Sequence, residues 1–406
     1  MRTLLCVCLF IPLFCKAQIR DTGVFIDYKA GYYQNYILKG IEEYENPPVQ
    51  KHSRKYFAAD MAKVKLNNDL KKYHTIWRQP PVSQGNTGTC WSFGATSMFE
   101  SEIWRMTGKS VKLSEMYFVY WEYVERATDF VSTRGKTYFA EGSESNALIR
   151  LMEKYGCVPW QAYSGMLPGQ TVHHHEEMLK EMNLYLESVR LKNVWNEEIV
   201  NQNIQAILDR YMGRPPMKFT QDGNEYSPLS FLSDYCKIKP RDYFSFMSTL
   251  SLPYDQKGEL VEADNWWHSS DYYNVCLDDF LTIIKSAISY NYGICICGDV
   301  SEPGFDRYSQ CGIIPSFDIP TGYIDESSRE LRLLSQSTTD DHCMHLIGFL
   351  KDGDQTWFVL KDSGAGAFDG TWKGYRFVRE DYVKLKMMNI LLHKEAARVV
   401  LDRIIK

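Results

Sequence analysis

Apolar residues recur at helical spacing through Trp91, Ala95, Met98, Phe99 and Ile103, so the stretch beginning at Cys90 predicts a helix with one buried face. It ends near Thr107-Gly108. Leu113 to Met116 opens a second helix, with Tyr117, Tyr120, Trp121 and Val124 on one face, and Asn146 to Tyr155 a third, closed by Gly156. Upstream, Met61, Val64 and Leu70 predict a short helix within Asp60–Lys72, before the Pro80-Pro81 stop. Glu176–Tyr185 and Glu197–Met212 read as charged amphipathic helices, and Asp278–Ser289 as another. From Tyr292 the period changes to two. Gly293–Gly298, His345–Leu350 and Trp357–Lys361 read as strands, the last two flanking the hairpin turn Lys351-Asp352-Gly353-Asp354-Gln355. Helices first and strands last is the pattern of an α+β chain.

Prolines at 215, 216, 228, 240 and 253 punctuate the middle of the chain, and residues 163–271 read as a helical insertion in a catalytic domain spanning 78–406. Residues 18–77 form a tyrosine-rich and lysine-rich arm. Residues 1–17 carry a basic start, an apolar stretch from Leu4 to Phe14 and a small-x-small site at Cys15-Lys16-Ala17, the layout of a signal peptide. Cleavage and a periplasmic or secreted location are expected, with no membrane association afterwards. An uncleaved anchor and lipid attachment at Cys15 are the alternatives, although Phe14 is bulky for a lipoprotein signal. A net charge of −5, without basic runs interleaved with aromatics, argues against a nucleic-acid partner. Of eleven cysteines, Cys6, Cys8 and Cys15 fall in or beside the signal. Cys295 and Cys297 share a strand face, which suits burial better than a mutual bridge, and without a second ligand pair they make a poor zinc site. His173-His174-His175 reads as a solvated loop.

The chemistry concentrates at Gln84 to Phe99. A loop containing Gly85 and Gly88 delivers Cys90 to a helix N-terminus, where unpaired backbone N–H groups and the helix dipole favour an anion. The thiolate is the form in which cysteine attacks. Such a nucleophile needs a base, and the base a third group to orient it. His342 opens the first hairpin strand, and Asp362 follows the second. His345, three residues on, faces away in an extended strand and reads as a packed or exposed histidine.

Gln84, Gly88, Cys90 and Trp91 resemble the nucleophile region of papain-like cysteine peptidases. Asp341-His342 with Gly348, and Lys361-Asp362-Ser363, resemble the second half of that site. There Asp362 replaces an asparagine that accepts a hydrogen bond from the imidazole. Gly364 replaces a tryptophan, leaving that bond less shielded from water. Thr87 stands where papain-type enzymes place a disulfide cysteine, and Cys90 and His342 lie farther apart than the roughly 130–150 residues of papain. Together with Glu115–Arg126, Glu141-Gly142-Ser143 and Glu153–Pro159, these features are similar to the bleomycin hydrolase/aminopeptidase C branch. The resemblance implies a two-lobed papain-like fold, peptide hydrolysis without cofactor or metal, and an aminopeptidase character. It implies Gln84 as oxyanion donor and Gly142 and Ser143 as a substrate-binding turn, with serine in place of the branch's second glycine. That branch assembles into rings, which makes a homo-oligomer an open expectation. The rival reading is a catalytically weakened relative that keeps the fold to bind peptides.

Overall fold

The computed structural model describes residues 21–45 and 55–405; the signal peptide expected over 1–17 lies outside them. The arm is not a loose tether. Strand β1 (Gly23–Asp27) pairs antiparallel with β2 (Lys55–Ala59), and Ile37 and Ile41 are buried against Val172. The helix expected within Asp60–Lys72 is replaced by two single turns, Met61–Lys63 and Leu70–Lys72, capped by the Asp60 and Asp69 carboxylates. Those caps satisfy the local backbone without a continuous helix.

The helical lobe is built from α1 (Cys90–Thr107), α2 (Glu115–Ser132), α3 (Ala147–Tyr155), α4 (Glu176–Lys192) and α5 (Glu197–Met212). The Ser114 hydroxyl caps α2 by accepting from the Tyr117 N–H at 3.0 Å. Gly108 ends α1 in the left-handed conformation, φ 69°, and its N–H donates to the Trp104 carbonyl. Phe99, Ile103, Phe118, Leu148 and Leu208 are fully buried between these helices.

Beyond Met212 the segment read as helical keeps only short helical stretches at residues 228–235 and Pro240–Asp242 and otherwise contributes strands and loops. Tyr243–Met247 (β3) enters the main sheet, which among the described residues has eleven strands. Its long members are β3, β4 (Ile294–Gly298), β5 (His342–Asp352), β6 (Gln355–Lys361), β7 (Tyr375–Arg379) and β8 (Met387–His393). They run β7-β6-β5-β4-β8-β3, every neighbouring pair antiparallel. Tyr243 is fixed by pairing with His393 of β8, a contact between distant segments. Helix α6 (Leu277–Ser289) covers this sheet through Phe280, Ile284 and Ile288. Helix α7 (Arg398–Ile404) packs on α6, buries Val400 and Leu401, and pairs Arg403 with Asp279, while Ile405 beyond its end is half exposed. Among the described residues no helix is long and apolar enough to cross a membrane.

The two lobes meet where α1 lies against β4 and β5. Gly94 permits the approach: a Cβ there would stand 3.1 Å from the Met344 backbone nitrogen. The helix N-terminus is thereby held over the first residue of β5.

Candidate active site

Cys90 is the first residue of α1 and is only partly exposed. The loop that presents it is braced from behind. Gly85 has φ 70°, and a Cβ there would stand 2.3 Å from the His173 carbonyl, which accepts the Asn86 N–H at 2.9 Å. The histidine run is therefore not a solvated loop. His175 is 3% exposed, and burial, with His175 and Lys112 nearby, holds the His173 imidazole down at about 3. Among the described residues none of these histidines belongs to a group able to hold a metal. From the arm, the Tyr33 hydroxyl donates to Asn86 Oδ1 at 3.0 Å.

The β5–β6 pairing sets His345 opposite Lys361, so the residues after β6 fall beside the start of β5. His342 Nε2 and Asp362 Oδ1 are 2.7 Å apart. With Nε2 so engaged, Nδ1 is the ring nitrogen left for the Cys90 sulfur. Burial alone would lower the His342 pKa, but Asp362 and the hydrogen-bonded Cys90 outweigh it and hold the imidazolium well above its ordinary value. Burial would likewise raise Asp362; His342, Arg376 and the Gly364 N–H instead bring it down to about 2.

The bond is well shielded without the tryptophan, contrary to the expectation from Gly364. The side chains of His342 and Asp362 are 11% and 2% exposed. Gly364 lies flat against the imidazole, where a Cβ would be 3.3 Å from Nε2, and its N–H donates to Asp362 Oδ1 at 2.7 Å. Arg376 of β7 donates from Nε to Asp362 Oδ2 at 3.2 Å and is itself 5% exposed. Sequence reasoning missed Arg376. Its only signal is an arginine next to Phe377 and Val378 in a short strand, which calls for a buried anionic partner.

Gln84 is also in place, 8% exposed, and also tethered. Its Nε2 donates to the Thr87 carbonyl at 2.7 Å, and its Oε1 accepts from the Ser363 hydroxyl at 2.7 Å. One N–H of the amide is left for another acceptor. His345 is fully buried, within 2.8 Å of the Ser97 hydroxyl, and burial holds it neutral. Next to His342, Cys343 forms a disulfide with Cys297 of β4, while Cys295 stays free and buried.

The turn Glu141-Gly142-Ser143 stands beside the nucleophile loop, since a Cβ on Gly88 would meet the Glu141 Cβ at 2.8 Å. Gly142 has φ 93°. Ser143 points inward: its hydroxyl donates to Glu122 Oε1 at 2.6 Å, an oxygen that also accepts from Trp266 Nε1 at 2.8 Å. The serine in place of glycine thus anchors the turn to α2.

A cysteine at a helix N-terminus in one lobe and a histidine–carboxylate pair on a hairpin in the other define the papain-like cysteine peptidases. A model of the Peptidase C1-like family matches residues 48–402, and the chain belongs to that family. It is 21% identical over 369 residues to Aminopeptidase C of Lactococcus lactis subsp. lactis (strain IL1403), covering 79% of this chain and 82% of that protein. Aminopeptidase C of Lactobacillus delbrueckii subsp. lactis is 22% identical over 361 residues, covering 77% and 79%. Among solved structures, PepW from Lactobacillus rhamnosis HN001 (DR20) superposes with a TM-score of 0.65 at 18% identity, over 82% of this chain and 83% of that one.

Proposed function

We propose that this chain is an exported cysteine aminopeptidase that hydrolyses peptides by acyl transfer. The observation that carries the reading is the 2.7 Å His342–Asp362 pair aimed at a cysteine on a helix N-terminus. The Cys90 thiolate attacks the carbonyl carbon, and the imidazolium of His342 gives its proton to the leaving amine. Water then attacks the thioester, His342 takes the water's proton, and the C–S bond breaks to regenerate the Cys90 thiolate and release the carboxylic acid product. The Cys90 N–H and the remaining Gln84 N–H are the donors for the developing oxyanion. The aminopeptidase assignment draws on the relatives' name, and the export assignment on residues 1–17 alone. One observation favours the peptide-binding rival: Asp362 stabilises the imidazolium, which makes His342 a weaker acid towards the leaving amine.

The test is turnover of free and N-acetylated peptide amides by the mature chain, with and without a thiol alkylator. Cys90→Ser is expected to lower turnover by at least about a thousandfold with the fold intact. Faster cleavage of the free peptides supports an exopeptidase. Equal internal cleavage of the acetylated ones makes it an endopeptidase. No turnover, with Cys90 still alkylated first, leaves a peptide-binding protein.

A further inference from the structure

Two of the free cysteines touch each other far from Cys90 in the sequence. Cys157 follows the end of α3, one residue after Gly156, and Cys236 ends the short helical stretch Phe231–Tyr235. Both are fully buried in the core of the helical lobe, and their sulfurs stand 3.9 Å apart across 79 residues of chain. At that distance the two atoms are in van der Waals contact, with nothing between them. Among the described residues the other free cysteines have other partners. Cys276 Sγ donates to Asp279 Oδ2 at 3.2 Å, Cys311 Sγ to the Ser309 carbonyl at 3.5 Å, and Cys90 is hydrogen-bonded to His342. Cys295 lies beside the Cys297–Cys343 bond, whose two sulfurs already hold each other.

The backbones that carry this pair are already fixed at close range. Gly156 has φ 75°, and a Cβ there would stand 2.3 Å from the Pro228 carbonyl. The Cys157 N–H donates to the same carbonyl at 3.2 Å. On the other side, the Ser227 hydroxyl accepts from the Ser230 N–H at 3.2 Å, and the Cys236 N–H donates to the Phe231 carbonyl at 2.9 Å. The fold therefore brings the two side chains together without a covalent bond, and closing the gap is left to rotation about their Cα–Cβ bonds. As thiols the pair gains little, because a buried S–H is a weak donor and its neighbour a weak acceptor.

We propose that Cys157 and Cys236 form a second disulfide, which fastens residues 228–236 to the end of α3. The thiolate of one cysteine attacks an external disulfide, that of a dithiol–disulfide oxidant, and expels one of its sulfurs as a thiolate. The thiolate of the second cysteine attacks the first cysteine's sulfur in the mixed disulfide and expels the oxidant's other sulfur. The chain loses two protons and two electrons, and the oxidant leaves as a dithiol. In the folded chain both sulfurs are buried, and burial, with Cys236 beside it, keeps Cys157 protonated. The exchange therefore precedes the closing of residues 228–236 over Cys157. A loop of this length restricts the unfolded chain, so the bond acts on stability and leaves Cys90 free. The inference rests on the export reading only for where the bond forms in the cell.

The test separates the bond from the export. The chain is sent to a bacterial periplasm by a foreign leader in place of residues 1–17, and is made with its own leader in the same host. Both products are denatured in iodoacetamide without reductant, digested and mapped by mass spectrometry. With the foreign leader, most of the Cys157 peptide is expected to be joined to the Cys236 peptide, leaving Cys90, Cys276, Cys295 and Cys311 alkylated. Alkylation of most of Cys157 and Cys236, or a bond from either to another cysteine, overturns the proposal. A bond that forms with the foreign leader and not with the chain's own supports the proposal and removes the export reading. Dithiothreitol is then expected to open the bond at least about tenfold faster in urea than in the folded chain, because the attacking thiolate must reach a buried sulfur. Equal rates would overturn the placing of the bond inside the core.

Discussion

Two sets of buried carboxylates flank the same cysteine, and they are treated in opposite ways. Asp362 has a cation on each oxygen, His342 on one and Arg376 on the other, and a backbone N–H besides. Its pKa is lowered to about 2. Glu144 and Asp340 share the Asn389 amide, at 3.2 and 2.6 Å, and have no cation among the described residues. Burial, then Asp264 and Glu262, pushes Glu144 up to about 8. One set is complete within the fold, and its charge holds the His342 imidazolium in place. The other lacks a counter-charge, and burial favours the neutral form of its carboxyl groups instead. Arg376 also explains how this chain tolerates aspartate where papain-like enzymes carry asparagine: the added negative charge arrives with its own arginine.

Breaking the complete set is expected to give the largest effect. Asp362→Asn leaves the buried Arg376 guanidinium without its anion, and a loss of about 3–5 kcal/mol is expected in urea denaturation at pH 7. Asp362→Asn with Arg376→Gln removes both charges and should recover much of that loss; no recovery would show that the pair is not coupled. The pH window follows from the shifts. Asp362 lies below its ordinary value, so its contribution is present above about pH 4 and lost as pH falls toward about 2. His342 lies above its ordinary value, so its contribution is full below about pH 6.5 and lost as pH rises through the elevated value. In kcat/KM against pH, Asp362→Asn should move the alkaline limb to lower pH, because the Cys90–His342 ion pair ends when His342 deprotonates. An alkaline limb that does not move would remove Asp362 as the third catalytic group.

The unmatched set should respond with the opposite sign and more weakly. Glu144 has a folded pKa raised above its unfolded one, so the folded state holds the extra proton. Its contribution is present below about pH 4.5 and lost as pH rises through about 8. Glu144→Gln is therefore expected to leave stability at pH 5 within about 1 kcal/mol and to raise it at pH 9, where the wild type buries an uncompensated charge. The slope of stability between those two pH values is the quantity to compare, and equal slopes would mean that Glu144 is ionised throughout at no cost.

The complete set was largely legible in the sequence, and the unmatched one was not. Cys90 announces itself locally, by a glycine loop running into a 3.6-residue apolar period. His342 and Asp362 are fixed by a hairpin whose turn and alternation are also local. Arg376, Glu144, Asp340 and Asn389 carry no such signal, because each acts through partners that only the β-sheet order brings near. The same limit hid β3, whose pairing with β8 joins distant segments across a proline-punctuated stretch. The histidine run reads as polar in one dimension and is buried only because Gly85 lets the nucleophile loop close over it.

A structural effect independent of pH is expected at the turn that carries Ser143. Ser143 links the backbone of its turn to Glu122, and Glu122 in turn holds Trp266 and Arg150. Ser143→Gly restores the glycine of the related branch but leaves a buried carboxylate oxygen with one donor fewer. Because Trp266 still donates to that oxygen, the cost is one hydrogen bond to a charged group and not an orphaned charge, about 1.5–3 kcal/mol. Ser143→Ala forfeits the same bond but keeps the Cβ and the stiffer backbone, so it should be the milder of the two by a few tenths to 1 kcal/mol. Activity separates a structural tie from a substrate contact. If the hydroxyl serves only Glu122, both variants keep the wild-type ratio of rates on free and N-acetylated amides while losing stability. A changed ratio at unchanged stability would mean that the Ser143 side chain meets the peptide, and that the turn's inward orientation is not the one used in catalysis.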